Sequence, residues 1–527
     1  MGGGRRGFLR GLALLGAAAS LPAVHAASGE ASSLARTRSG RIAGYRRDGV
    51  HVFKGIPYGA DTAPRRFRPA LPEAKWRGVR DATTYGASAP QNGDEGPGSE
   101  DCLFLNVWTP GLRDGARRPI LVYLHGGGYN NGSGSSPLYD GTRLCRRGDV
   151  VVVTLNHRIN AFGYLYLAEL AGSEYADSGN VGQLDLIRAL QWVREHAGEF
   201  GGDAGNVTVF GQSGGGAKIA TLMAMPAARG LFHRAWSMSG QQVTAAGPRA
   251  ASQRTRLLLD ALGARDDFSA LATMPMPKLL EAIRVRDPSR TEDTSLYLGP
   301  VMDSRALPRH PFHPDAPPQS DAIPMVIGNT HDETRAFLGS DPENFALTWE
   351  SLSAKLREQQ YSDLSPDVVI AEYRKLYPRY TPSEVFFAAT TAGRSWRGAV
   401  IEAELRAKQS APTWAYQLDW PSPLDGGKWR ALHTLDIALV FDNTAQPGSR
   451  TGTGAGAQRM ADRMSDALLA FARSGDPNHA GIPYWSPYSL PARETMVFDE
   501  HTRMEDDPRG GERRLYERVP FIQRGTF

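Results

Sequence analysis

The chain has 527 residues, 41% hydrophobic and 22% charged, an ordinary globular composition with ample apolar content to bury a large core. A net charge of +4, with no dense Lys/Arg tract, argues against nucleic acid or an anionic membrane as partner. Two cysteines, Cys102 and Cys145, cannot build a disulfide framework, so the fold must stand on its core.

The first residues predict an export signal of twin-arginine type. Arg5-Arg6 opens a short basic block, Gly11 to Leu21 is apolar and uncharged, and Val24-His25-Ala26 offers small residues for cleavage after Ala26. The apolar run is too short to cross a bilayer comfortably, and no later segment is long and apolar enough. Removing residues 1–26 takes away three arginines and no acid, which leaves +1. Residues 27–527 read as one catalytic domain, exported to the periplasm or the exterior, because the motifs below spread over most of them. The tract Arg65-Arg66-Phe67-Arg68 lies between Pro64 and Pro69 and reads as a structural loop.

Short buried-strand patterns then alternate with helical ones, which predicts an α/β protein with a largely parallel sheet. Strands are expected at Ile120 to Leu124, Val150 to Leu155, Val207 to Phe210 and Met325 to Ile327. Helices are expected at Leu184 to His196 and at Ala461 to Arg473, the latter stopping at Gly475-Asp476-Pro477. Residues 240–320 and 338–400 read as helical, loop-rich insertions over a site, and residues 447–456 as a mobile loop.

Four features along this frame carry chemistry. Gly211-Gln212-Ser213-Gly214-Gly215 matches G-x-S-x-G between an expected strand and an expected helix, the setting of a nucleophile elbow. His125-Gly126-Gly127-Gly128 follows an earlier strand, and its glycines let backbone N–H groups approach a developing oxyanion. The candidate donors are Gly127, Gly128 and Gly214. An acid is expected after a later strand, where Asp332 and Glu333 are adjacent and spacing does not choose between them. A base is expected beyond it, among His433, His479 and His501, with His433 favoured by its place on a loop before an apolar run. Acyl transfer by such a set needs no metal and no cofactor. His310, His313 and Asp315 have a faintly ligand-like spacing, but their Pro-rich setting reads as a loop.

With these residues placed, the chain resembles the type B carboxylesterase family, which includes the cholinesterases, from about Gly40 to Phe498. The resemblance rests on Phe53-Lys54-Gly55-Ile56-Pro57-Tyr58, on Glu100-Asp101-Cys102-Leu103-Phe104-Leu105-Asn106-Val107, and on Asn156-His157-Arg158 with Phe162-Gly163. Phe200-Gly201-Gly202-Asp203, Gly475-Asp476-Pro477-Asn478 and Trp485 extend it. It implies the α/β-hydrolase fold with helical insertions over the active site, and serine hydrolysis of small-molecule carboxylic esters. It places the acid at Glu333 and the base at His433, ahead of Asp436. It also implies that Ser239 lies near the triad and that Arg66 and Glu100 form a structural ion pair.

Three departures stand out. Gln212 and Gly214 replace the family's usual glutamate and alanine in the elbow. Ala89 stands where Cys102 would have its partner, which favours a free buried thiol over pairing with Cys145. The segment between Ala89 and Cys102 is short and lacks an aromatic residue, which speaks against choline esters and for an open entrance that takes bulky substrates. Tyr129, Phe337, Phe386, Phe387, Trp396 and Trp420 are candidates for pocket walls. Hydrolysis of an amide or carbamate by the same triad, and a non-catalytic binding role, are the competing readings. Oligomeric state is not legible.

Overall fold

The computed structural model describes residues 32–526, apart from residues 94, 96, 97, 266, 290–294 and 524. The expected export signal lies outside the described residues. A large twisted sheet organises the chain. Its strands are β1 (Ser32–Arg36), β2 (Arg41–Arg47), β3 (Val50–Pro57), β4 (Val79–Asp81), β5 (Phe104–Thr109), β6 (Arg118–Leu124), β7 (Val151–Leu155), β8 (Gly202–Gln212), β9 (Arg234–Met238), β10 (Met325–Thr330), β11 (Thr413–Leu418), β12 (Glu494–Phe498) and β13 (Arg503–Asp506). Their order is β1-β2-β3-β5-β7-β6-β8-β9-β10-β11-β12-β13, with β4 alongside β2. From β7 to β12 every pairing is parallel, and antiparallel strands extend both ends.

The central strands are apolar runs because both faces are covered, as a parallel sheet requires. Ile120, Val122, Leu124, Val153, Val209 and Ile327 point to one side, where the helices Val181–His196 and Gly214–Ala224 pack. Leu121, Tyr123, Val152, Phe210, Trp236 and Val326 point to the other, under the helix Ala455–Ser474 and its Met460, Met464, Leu468 and Phe471. That helix ends at Gly475, whose φ of 84° makes the left-handed cap that glycine adopts without cost. The four expected strands and two expected helices are present; β7 begins one residue later than expected, and the others run somewhat longer than their apolar signatures.

The strands are in register at one edge of the sheet. Leu124 lies opposite Gly211, Gln212 opposite Met238, Gly328 opposite Met238, and Thr330 opposite Leu418. The loops leaving the carboxyl ends of β6, β8, β10 and β11 therefore emerge together, where open α/β sheets place their ligand sites. Two helical segments lie beside that edge. One includes the helices Pro248–Ala261 and Met276–Ala282. The other includes Trp349–Gln359, Pro366–Leu376, Pro382–Thr391 and Arg397–Arg406, with a π-helical turn at Ala392–Trp396. Cys102 and Cys145 are buried and free. Among the described residues, no helix is long and apolar enough to cross a membrane.

Candidate active site

Strand β8 ends at Gln212, and the chain turns at once into the helix Gly214–Ala224. Ser213, between them, has φ 58° and ψ −126°, a conformation that L-residues adopt only when their surroundings impose it. The imposition is visible. The Ser213 N–H donates to Met238 O at 2.8 Å, so the end of β9 pins the turn. The hydroxyl stands at the N-terminus of the helix, the favourable end for negative charge.

The loop after β6 lies against this turn. Gly127 and Gly128 both have left-handed φ, 82° and 58°. A side chain on Gly214 would put its Cβ 2.1 Å from Gly128 O. Glycine in place of the family's alanine thus lets the loop close directly onto the helix start. Lys218, one turn into that helix, donates from Nζ to His125 O at 2.9 Å behind the loop.

Asp332 and Glu333 follow β10 and have different partners. The Asp332 carboxylate meets His331 Nδ1 at 3.1 Å and Arg335 Nε at 3.3 Å. Glu333 is fully buried and pairs through Oε2 with Nδ1 of His433. Its Oε1 accepts from the Thr330 N–H at 2.9 Å and from Asn329 Nδ2 at 3.3 Å. Burial raises the Glu333 pKa, but His433 and the surrounding donors outweigh it and hold the carboxyl below its ordinary value.

His433 comes from the loop after β11. Its ring lies 4.7 Å from the half-exposed ring of Phe337. Gln212 Nε2 is 3.2 Å from His433 Nε2. His479 is held elsewhere, 3.0 Å from Arg463 O, and His501 is exposed. Ser239 has φ 50°, and its N–H donates to Gly328 O at 2.7 Å. Its hydroxyl adds to the lowering of the Glu333 pKa without forming a well-aligned hydrogen bond.

A cleft enclosing about 1080 Å³, open mouth included, brings Ser213, His433, Gly128, Gly214 and Ser239 to one surface. The Carboxylesterase family model matches residues 31–515. The chain belongs to that family. It is 35% identical over 490 residues to the para-nitrobenzyl esterase of Bacillus subtilis (strain 168), covering 90% of this chain and 97% of the relative. It is 34% identical over 476 residues to the phenmedipham hydrolase of Pseudarthrobacter oxydans, covering 86% and 92%. A solved carboxylesterase of Geobacillus stearothermophilus superposes with TM-score 0.82 at 38% identity, covering 92% of this chain and 99% of that one. The protein is a carboxylic ester hydrolase of the α/β-hydrolase fold.

The carboxylesterase cleft differs from its sequence-based outline. Of the six aromatic candidates, Tyr129 and Phe337 line it. Phe386 and Phe387 are buried in a separate apolar cluster against which Trp396 packs, and Trp420 donates to Thr451 O. None of the described residues of 89–102 lines the cleft; Tyr297, Tyr361 and Arg394 do. These three carry no motif, since they reach the site only through the folding of the insertions.

Arg66 and Glu100 do pair, both buried, with Arg66 Nε donating to Glu100 Oε2 at 2.7 Å. Arg66 Nη1 also donates to Leu271 O at 2.9 Å and Met274 O at 2.6 Å, which ties the early loop to the first insertion. Among the described residues, no group of three His, Cys, Asp or Glu side chains is arranged to hold a metal ion. His310 Nδ1 accepts from the Ala245 N–H at 3.1 Å, and Asp315 pairs with Arg309.

Proposed function

We propose that this carboxylesterase works through a Ser213–His433–Glu333 triad and an acyl-enzyme. The pairing of Glu333 with His433 beside a serine on a strained elbow is the observation that carries the reading. Glu333 fixes the proton on Nδ1, which leaves the Nε2 lone pair facing the cleft. His433 takes the Ser213 proton as Oγ attacks the ester carbonyl, and the N–H groups of Gly127, Gly128 and Gly214 hold the oxyanion. The imidazolium returns its proton to the departing alcohol. Water then attacks the acyl-enzyme by the same route and releases the acid.

The relatives' names make para-nitrobenzyl esters and phenmedipham the first compounds to try. On this proposal, residues 27–527 work as one catalytic unit that is exported by means of residues 1–26. The test is hydrolysis of p-nitrophenyl esters of increasing acyl length by wild type and Ser213→Ala. Activity should fall by about 10⁴-fold or more in the folded variant. Turnover that survives the substitution would remove Ser213 from the mechanism. Esters should also outpace their matching amides; the reverse order would favour an amidase.

A further inference from the structure

We propose that Lys218 is a positioning residue for ester hydrolysis, an ammonium held behind the oxyanion loop to support the tetrahedral intermediate. The inference rests on the assignment of Ser213 as nucleophile.

Lys218 has no exposed surface, and among the described residues Nζ makes one hydrogen bond, to the carbonyl of His125 at 2.9 Å. That carbonyl belongs to the peptide leading into Gly126-Gly127-Gly128. Among the described residues, no carboxylate forms an ion pair with Lys218. The titratable groups facing it are His125 and His157, stacked at 4.8 Å between centroids, and Tyr129, whose ring centre is 6.0 Å from Nζ. Burial, and then the Lys218 charge, hold both histidines well below their ordinary range and therefore neutral.

A buried ammonium without a counter-ion is costly. Its position makes matters worse, since the first turns of a helix are the positive end of the dipole. Burial accordingly pushes the Lys218 pKa down to about 7, so the ammonium is the resting form below that pH. Among the described residues, only the His125 carbonyl and the face of the Tyr129 ring offset this cost in the resting protein. The missing negative charge forms only during the reaction, on the far side of the same loop. There the oxyanion gathers between Gly127, Gly128 and Gly214. An unpaired cation in a dry site acts strongly on charge that develops nearby and needs no reorganisation to do so. It is a ground-state expense recovered in the transition state, which is how differential binding accelerates a reaction. The ammonium also fixes the His125 carbonyl, and with it the plane of the peptide entering the loop.

Two variants separate the charge from the hydrogen bond. Lys218→Met removes both, whereas Lys218→Gln keeps an N–H donor toward His125 O without charge. In the full-length protein both should lower kcat by about 10–100-fold and leave KM within about twofold. A trifluoromethyl ketone, which forms a tetrahedral adduct with the serine, should bind more weakly by the factor lost in kcat/KM. Folding is checked by thermal melting, and should the methionine variant fail to fold, the glutamine variant carries the test. Wild-type kcat in a folded Lys218→Gln would overturn the proposal. So would ketone affinity unchanged while KM rises. Either result beside an inactive Ser213→Ala would leave the triad reading standing, whereas activity in Ser213→Ala would overturn both.

Discussion

The side-chain amide nitrogen of Gln212 faces both ring nitrogens of His433, 3.2 Å from Nε2 and 3.4 Å from Nδ1. An amide N–H can donate only to a lone pair, so it suits the tautomer whose proton sits on Nδ1 toward Glu333. The family's usual glutamate would act otherwise, because a carboxylate beside the ring favours its charged form. Gln212→Glu should therefore move the acid limb of the kcat/KM profile to higher pH, by about one unit. Activity at neutral pH should fall accordingly. The check is a pH–rate profile of both proteins on one p-nitrophenyl ester; superposable acid limbs would show that Gln212 does not bear on the base.

The two acids after β10 should behave differently. Glu333→Gln leaves the shape of the site but takes away the acceptor that fixes the His433 tautomer, and kcat should fall by about 10³–10⁴-fold. Asp332→Asn disturbs only a contact with His331 and Arg335 and should keep kcat within about tenfold. Equal losses in the two variants would mean that Asp332 shares the role.

The elbow, the glycine loop and the acid pair were legible because each is local: a strand, a tight turn and a few small or acidic residues adjacent in sequence. His433 was harder. It lies 100 positions from Glu333, and before the family resemblance only its place on a loop ahead of an apolar run favoured it over His479 and His501. The cleft walls were legible only in part, at Tyr129 and Phe337. Phe386 and Phe387 look like pocket residues in sequence, yet the helix Pro382–Thr391 turns them into the core. Arg394 reaches the cleft from the π-helical turn Ala392–Trp396, a departure from helical spacing that no apolar periodicity announces. Lys218 carries no signal in the sequence, because a lysine in a helix ordinarily reads as surface. Its burial follows from the close seating of the helix Gly214–Ala224 under the glycine loop.

The Arg66–Glu100 pair makes a stability prediction. Glu100→Gln leaves the Arg66 guanidinium buried beside a neutral amide. Breaking such a pair from one side costs about 3–5 kcal/mol. The melting temperature should drop by several degrees, and kcat of the molecules that remain folded should change little, since neither residue lines the cleft. A melting temperature equal to wild type would show that the pair contributes no net stability.

A second acid ties stability to pH. Glu402 is wholly buried; its Oε1 accepts from the Gln242 N–H at 2.7 Å, and its Oε2 has no partner among the described residues. Burial raises its pKa from 4.5 to about 8. Between those values the native protein holds a proton that the unfolded chain has lost, so stability falls as pH rises through the window. Above about 8 the native state carries an unpaired buried carboxylate. Glu402→Gln keeps an oxygen for the Gln242 N–H and cannot ionise. Relative to wild type it should gain stability steadily from about pH 5 to pH 8, and hold the gain beyond. Urea unfolding of both proteins at pH 5, 7 and 9 reads this directly. Parallel stability curves would mean that Glu402 ionises no differently in the folded and unfolded chains.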